Sequence, residues 1–187
     1  EDLFWRRGIT PQAGKIYYSA KNTGVNRCER ALWFDESKLS THWAAASIDY
    51  VRQKGLMHNN PYGEFTPNFP LTRGMFVTCL GRLAGVEGDA TSTGYRDLSA
   101  GHYAAPYAAW AKEADIMRGL PDGRFAPDAP ITRQELATAL ARYAALCGAE
   151  RGDTSAPVYH DQAAIADWAK DGVSLCGQLG LLVGANG

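Results

Sequence analysis

One arginine at the start of a predicted helix has the position that most directly suggests chemistry. The run Ile131–Glu135 reads Ile-Thr-Arg-Gln-Glu and precedes an apolar-periodic segment. Thr132 with Glu135 three residues later is the pattern of a capping box, in which each side chain accepts a hydrogen bond from the other residue's amide. Arg133 then lies in the first turn, where backbone amides are unpaired and the helix dipole is positive.

A guanidinium at that end of a helix opposes the dipole, and two interpretations follow. In the first, Arg133 points to solvent or pairs with a nearby Asp. In the second, an anion binds there, held by the fork of the arginine and by free backbone amides. The segment before the helix predicts a turn at Asp122-Gly123 and then a short extended piece through Phe125 and Pro127.

The same arrangement occurs twice, which makes this chain a repeat protein. Thr72-Arg73 lies 60 residues before Thr132-Arg133, and no gap is needed across the span. A third copy starts late in the chain and contains only the first half of the pattern. An aromatic-x-Asp pair opens each copy. The openers are Trp33-x-Asp35, Tyr95-x-Asp97 and Tyr159-x-Asp161.

Each full copy predicts a helix, a loop and a second helix. In copy two, Tyr103, Tyr107 and Trp110 fall on one helical face, and Leu136 with Leu140 begins the stripe of the second helix. Two helices of this size cannot bury their apolar faces alone, so the repeats must pack on one another. We therefore predict a mainly α fold of helix-loop-helix repeats packed around a pseudo-threefold axis.

The predicted domain organisation has four parts. Residues 1–32 form an N-terminal segment, 33–92 the first repeat, 93–156 the second, and 157–187 a partial third. The β-prone run Lys15–Ala20 and the turn after it predict a small hairpin, or the last hairpin of a preceding domain. An alternative takes Val25–Glu29 as a short helix that echoes Ile131–Glu135.

Composition excludes several classes of function. The formal net charge is -1, so bulk electrostatics indicate neither nucleic acid nor an anionic membrane as a partner. No apolar run approaches the roughly 18 residues of a membrane span, and the residues from Glu1 onward do not read as a signal peptide. The four cysteines lack CxxC spacing, so we expect no zinc site and no cofactor, and we expect Cys79, Cys147 and Cys176 to be buried apolar residues.

Taken together, these motifs resemble the S-layer homology (SLH) repeat. The resemblance rests on the aromatic-x-Asp opener, the His-aromatic-Ala helix start, Gly-x-Phe-x-Pro and Ile-Thr-Arg-x-Glu, and it covers about residues 33–187. It implies a non-catalytic module of a bacterial cell-surface protein, located at the cell wall or S-layer. Grooves between such repeats bind secondary cell wall polysaccharide, commonly through a pyruvate ketal on an amino sugar.

The resemblance also implies which residues contact the polysaccharide. The Arg of the Thr-Arg-x-Glu motif is the anion contact, so Arg133 is the first candidate and Arg73 its equivalent. The remaining candidates are three loop-shaping glycines and three helix-start aromatics, for which core packing is the alternative to sugar stacking. These residues are Gly119, Gly123, Gly63, Trp43, Tyr103 and Trp168.

Copy one departs from the family pattern at two positions. Met75 stands where copy two has Glu135, so the capping box is half lost, and Gly74 weakens the helix start by up to about 1 kcal/mol relative to Ala. Two other functions stay open on the sequence alone. The repeats could serve protein contact, including self-association, or the chain could be the tail of an exported glycan-active enzyme, although it shows no paired carboxylates in a plausible active-site arrangement.

Overall fold

The protein is mainly helical, which confirms the predicted fold class. The computed structural model describes residues 37–60, 64–90, 92–149 and 155–184. The predicted N-terminal hairpin at residues 1–32 lies outside these ranges, as does Gly63. Within them no β-sheet forms, and Thr72 and Pro130 make an isolated antiparallel bridge. The pseudo-threefold arrangement stays a prediction.

Each of the two full sequence repeats contains the two main helices predicted for it. Two short 3₁₀ helices, Gln162–Ala164 and Asp167–Ala169, precede the last α-helix. The α-helices are α1 (Ser37–Ser40), α2 (Ala45–Gln53), α3 (Arg73–Leu83), α4 (Ala105–Glu113), α5 (Arg133–Leu146) and α6 (Lys170–Gln178).

The chain divides into two compact units, Glu1–Phe69 and Pro70–Gly187. The division falls between the two helices of the first sequence repeat. In the second unit, α3 from copy one packs on α4 from copy two, and α5 packs on α6. A helix pair in this unit is therefore made of the end of one repeat and the beginning of the next, while the predicted repeat boundaries describe units of sequence.

The first unit contains α1 and α2. Ile48 is its buried apolar residue among those described. The imidazole Nδ1 of His42 accepts a hydrogen bond of 3.2 Å from the amide of Ala44, at the start of α2. His102 makes the same 3.2 Å bond with the amide of Ala104. The repeated histidine therefore satisfies a backbone amide at the helix start, which is a structural role.

The core of the second unit lies where α3 meets α4, and alanines at the start of α4 and along it are its most completely buried residues on that side. Ala104, Ala108 and Ala111 have no exposed surface, while Tyr107 and Trp110 are half-buried at the flank. The aromatic stripe predicted from periodicity is therefore only partly buried, although it packs against the core. The two helices approach closely at Gly81 of α3, because a Cβ there would lie 2.4 Å from the Tyr107 ring.

The second helix pair uses a glycine for the same purpose. A Cβ placed on Gly172 of α6 would lie 2.8 Å from the Cα of Thr138 in α5. Cys176 is buried against α5 as predicted, and its Sγ lies 3.2 Å from the carbonyl of Ala137. Cys147, by contrast, is exposed just past the end of α5, and that prediction of burial was wrong. The helix ends before its stripe reaches that residue.

An aspartate holds the loop between α4 and α5. The carboxylate of Asp97 accepts hydrogen bonds from the amides of Phe125 (2.7 Å) and Ala126 (2.8 Å). Desolvation by itself would raise the pKa of Asp97, but these two amides and the charge of Arg124 outweigh it, so the pKa lies below its ordinary value. This pair of hydrogen bonds, the Asp97 clamp, holds Ala126 at a φ of 55° and places the Phe125 ring in the core.

Candidate functional site

The helix start at Thr132 has the capping box that the sequence predicts. The hydroxyl of Thr132 accepts a hydrogen bond of 3.3 Å from the amide of Glu135. The Glu135 carboxylate accepts one of 2.9 Å from the amide of Thr132 and one of 2.8 Å from its hydroxyl. These contacts fix the backbone of the first turn and leave the amides of Arg133 and Gln134 for other partners.

Those two amides stay open. Among the described residues, no acceptor forms a hydrogen bond with the backbone N–H of Arg133 or Gln134. The side chain of Gln134 is occupied, because its Oε1 accepts a 3.1 Å hydrogen bond from the amide of Ala166. This contact joins the start of α5 to the segment that leads into α6.

The Arg133 side chain is exposed, and one of its nitrogens makes a hydrogen bond. Its Nη2 donates a 2.7 Å hydrogen bond to the carbonyl of Val183. Of the two expectations for this residue, pairing with an Asp is not what the structure shows. A guanidinium has five N–H donors, and the Val183 contact uses one of them while it orients the plane of the group. The other donors face solvent or the groove beside the helix.

A groove of about 680 Å³ opens at this helix start. One wall is the first turn of α5, and the other comes from copy three. The copy-three wall is largely apolar, with Tyr159, Asp161 and His160 as its polar members. Its further lining residues are Pro157, Val158, Ala164, Ile165, Val173, Leu182 and Gly184.

The groove combines a cationic fork with a carboxylate and apolar faces. The Tyr159 hydroxyl lies 3.4 Å from the carbonyl of Leu182, so the ring is positioned along the wall. Arg133 and the two open amides suit one small anion. Asp161 offers acceptor oxygens that suit hydroxyl groups. The arrangement therefore fits a polar, singly anionic ligand with some apolar surface.

Arg73, at the equivalent position of copy one, is in a different environment. It is 5% exposed. Its Nε donates a 2.8 Å hydrogen bond to the carbonyl of Phe125, and its Nη1 lies 2.5 Å from Oε1 of Glu135. The guanidinium carbon also lies 5.3 Å from the centre of the Phe125 ring. Its role as a ligand contact stays a prediction, and these contacts support a structural one.

The amides at the start of α3 are occupied as well. The N–H of Arg73 donates to the carbonyl of Ala129 (2.9 Å), and that of Gly74 donates to the carbonyl of Pro127 (2.8 Å). The close approach of this loop depends on Gly74, because a Cβ there would lie 2.8 Å from Oη of Tyr103 and 3.0 Å from the Pro127 carbonyl. Thr72 still caps the amide of Met75 at 3.2 Å, so half of the box is kept, as predicted.

Within the second unit, neither Tyr103 nor Trp168 lines the Arg133 groove. Trp43 lies in the first unit and is 92% exposed. Tyr103 is half-exposed and contacts the start of α3, at Gly74. Trp168 borders a smaller groove of about 300 Å³ between α5 and α6. Sugar stacking by these residues stays a prediction.

Two of the predicted glycines are required by the backbone. Gly119 and Gly123 have φ values of +81° and +82°, in the region that glycine tolerates best. A Cβ on Gly119 would also lie 2.5 Å from the ring of Tyr95. Both residues shape the loop before α5. Neither lines the Arg133 groove, so their contact with a ligand also stays a prediction.

Sequence reasoning missed the copy-three wall of the groove. The repeat pattern assigns Pro157, Tyr159 and Leu182 to a partial copy and does not indicate that they line a groove with Arg133. The only available signal was the aromatic-x-Asp opener, which places Tyr159 and Asp161 at a loop. Nothing in the spacing indicates that this loop lies against a helix start some 26 residues earlier in the chain.

Two negative observations apply to the described ranges. They contain no group of three His, Cys, Asp or Glu side chains placed to hold a metal ion. No helix in the same part of the chain has both the length and the apolar character needed to cross a membrane.

The sequence matches the S-layer homology domain family at residues 38–74 and 94–137. The predicted family is confirmed over those two segments, and with it the predicted bacterial cell-surface or cell-wall localisation. The second segment contains the capping box and Arg133, and the first ends at Arg73 and Gly74.

Three relatives illustrate the kinds of protein to which this chain is similar. A cellulosome-anchoring protein of Acetivibrio thermocellus is 35% identical over 51% of this chain. The S-layer protein sap of Bacillus anthracis is 28% identical over 76% of it, and the exoglucanase XynX of Acetivibrio thermocellus is 25% identical over 91%. The chain covers 22%, 17% and 15% of those proteins, respectively.

Proposed function

We propose, on the premise that residues 38–74 and 94–137 are S-layer homology repeats, that this chain anchors a larger protein to the bacterial cell wall. In this proposal the Arg133 groove binds secondary cell wall polysaccharide through an anionic substituent, such as the carboxylate of a pyruvate ketal. The observation that carries it is the open helix start, where an exposed arginine and two unpaired amides border a groove of about 680 Å³.

The chemistry of the groove supports a carboxylate on a sugar. Two backbone amides at a helix start and a planar guanidinium can surround one carboxylate with donors. The apolar faces of a sugar ring suit Pro157, Val158 and Tyr159, since sugars pack against rings and aliphatic surfaces. Asp161 accepts hydrogen bonds from hydroxyl groups. A neutral sugar would leave Arg133 without a charged partner.

The test is retention on isolated cell walls that carry a pyruvylated polymer. Arg133→Ala removes the fork while the capping box stays, and we expect affinity to fall about 10- to 100-fold, the worth of a charge-assisted contact. Arg118→Ala is the matched control, because Arg118 is an exposed arginine that pairs with Asp115 and does not line the groove. Equal retention of the parent protein, Arg133→Ala and Arg118→Ala would disprove the anion site.

The requirement for the ketal can be separated from binding to sugar. Mild acid hydrolysis removes pyruvate ketals from the polymer, and the parent protein should then bind as weakly as Arg133→Ala binds the intact polymer. If the parent still binds the hydrolysed polymer tightly, the groove recognises another feature of the glycan, and the proposal of pyruvate specificity is wrong.

The S-layer homology domain is a non-catalytic anchoring module, and we extend this property to the present chain as part of the proposal. Some relatives are enzymes, such as the exoglucanase XynX. Hydrolysis of polysaccharide in a zymogram by this chain alone would contradict it. The alternative of self-association predicts a stable oligomer without glycan affinity, which light scattering with and without polymer would distinguish.

A further inference from the structure

We propose that Arg73 is a positioning residue for the Arg133 groove, acting across repeats through Glu135 and Thr132. This inference rests on the proposed function, since it concerns how the same groove is held ready for its ligand. It assigns the copy-one arginine an indirect role: Arg73 contacts the carboxylate that caps α5 and does not contact the ligand itself.

A continuous series of contacts connects the two arginines. Nη1 of Arg73 lies 2.5 Å from Oε1 of Glu135. The other carboxylate oxygen of Glu135 accepts hydrogen bonds from both the amide and the hydroxyl of Thr132. Thr132 is bonded covalently to Arg133, and both residues line the groove. Each oxygen of one carboxylate therefore serves a different repeat.

The Arg73 end of this series is rigid. Its side chain is buried, its Nε is bonded to the carbonyl of Phe125, and its guanidinium packs on the Phe125 ring. Phe125 is held in turn by the carboxylate of Asp97. A carboxylate bound to such a fixed cation has few alternative positions. By contrast, a solvated glutamate at a helix start could rotate away and release the cap.

The acid that Arg73 contacts belongs to the following repeat. Met75 occupies the position that holds Glu135 in copy two, so Arg73 has no acid at the motif position of its own repeat. It uses the acid of the following repeat instead. One glutamate thus completes the capping box of α5 and neutralises the buried arginine of α3.

The functional consequence is preorganisation of the anion site. The amides of Arg133 and Gln134 can bind an anion together only when the first turn of α5 is formed, and the Thr132–Glu135 box forms that turn. A ligand that had to order this turn itself would bind more weakly, because it would bear the ordering cost. Loss of the Arg73 contact should therefore weaken binding without removing any group that touches the ligand.

The experiment compares Arg73→Lys and Glu135→Gln with a destabilised control, Gly81→Ala. A lysine keeps the charge but cannot bond Phe125 and Glu135 together in one plane. The Glu135→Gln substitution keeps a side chain that can cap the helix and removes its charge. Gly81 lies in α3 against Tyr107, where a Cβ would come within 2.4 Å of the ring, so its substitution loosens the same unit at a site away from the groove.

Two measurements are needed, both at temperatures where circular dichroism shows each variant folded. The first is the affinity for pyruvylated wall polysaccharide, corrected for the folded fraction. The second uses ¹⁵N NMR without ligand, with the Arg133 Nε–Hε and Gln134 amide resonances as reporters of the site's geometry.

We expect Arg73→Lys and Glu135→Gln each to weaken binding about 3- to 10-fold, as is usual for residues coupled in one hydrogen-bond network, and the double variant to be no weaker than the worse single one. Both substitutions should move the two NMR resonances. Gly81→Ala should leave affinity and resonances as in the parent.

Several outcomes would overturn the inference. One is that neither Arg73→Lys nor Glu135→Gln moves the two resonances, and another is that both variants bind the polymer with the affinity of the parent. Additive losses of affinity in the double variant would also contradict it, as would an equal loss of affinity in Gly81→Ala. If the parent does not bind the polymer, the proposed function fails. The NMR comparison then still decides whether Arg73 positions the start of α5.

Discussion

The helix starts at Thr72 and Thr132 share a Thr-Arg pair, yet one is closed and the other is open. At the start of α3 a loop of the next repeat supplies carbonyls to both free amides, and Arg73 is buried in an ion pair. At the start of α5 the equivalent amides have no partner among the described residues, and Arg133 borders a groove. The motif alone therefore does not decide whether its arginine can reach a ligand.

The residue after the arginine accounts for much of this difference. Gly74 lets the carbonyl of Pro127 approach the start of α3, where a Cβ would lie 3.0 Å from that oxygen and would require the loop to shift. Gln134 occupies that position in α5, and its side chain instead accepts a hydrogen bond from the amide of Ala166. Gly74 therefore allows a loop to cover the start of α3, while Gln134 bonds the segment that leads into α6 and leaves the start of α5 uncovered by the described residues. Accessibility is set by the neighbouring repeat together with this single position.

The largest expected effect comes from removing each arginine and measuring stability. Arg73→Ala leaves Glu135 without its cation and the Phe125 carbonyl without a donor in a largely buried site, so the free energy of unfolding should fall by about 3 kcal/mol. Arg133→Ala is exposed and should change it by less than about 0.5 kcal/mol. Urea unfolding followed by circular dichroism measures both. Equal losses would mean that the two sites do not differ as described.

A smaller effect tests the helix pair that supports the open groove. Gly172→Ala places a Cβ 2.8 Å from the Cα of Thr138, and backbone cannot yield as a flexible side chain can. We expect the free energy of unfolding to fall by about 1–3 kcal/mol, as for other overpacked contacts. Gly101→Ala is the control, because nothing lies within 4 Å of its Cβ position. We expect Gly101→Ala to unfold at the same urea midpoint as the parent protein.

The smallest effect compares the two aspartates that open copies two and three. Asp97 binds two loop amides, while the side chain of Asp161 has no hydrogen-bond partner among the described residues and borders the groove. Asp97→Asn should lower the free energy of unfolding by about 1 kcal/mol, a value kept small because the site is exposed to solvent. Asp161→Asn should change it by less than about 0.5 kcal/mol.

The pH dependence of the Asp97 contribution has a definite sign. Its pKa is lower in the folded protein than the ordinary value of about 3.9. The contribution is therefore complete above that ordinary value and is lost as the pH falls through the folded pKa. In acid titrations, the stability gap between the parent and Asp97→Asn should narrow below about pH 4. A stability gap that widens on acidification would show that the ionised Asp97 carboxylate does not stabilise the loop.

Local patterns predicted the local features well. The spacing of Thr132 and Glu135 predicted the capping box, and the periodicity after them predicted α5, because both depend on residues within one or two turns. Periodicity was less successful at identifying the most buried residues of α4, where alanines and not the predicted aromatics have no exposed surface. It also extended the buried stripe to Cys147, which lies just beyond the helix end.

The sequence by itself determined the repeats, the mainly helical class, the family and the helix start that carries Arg133. These follow from residue types at short, regular spacings. Only the tertiary structure decided that Arg73 is buried, that Glu135 serves two repeats, and that copy three forms the wall opposite Arg133. The reason is physical: whether a helix start is open depends on which distant carbonyls reach its amides, and chain spacing does not encode that approach.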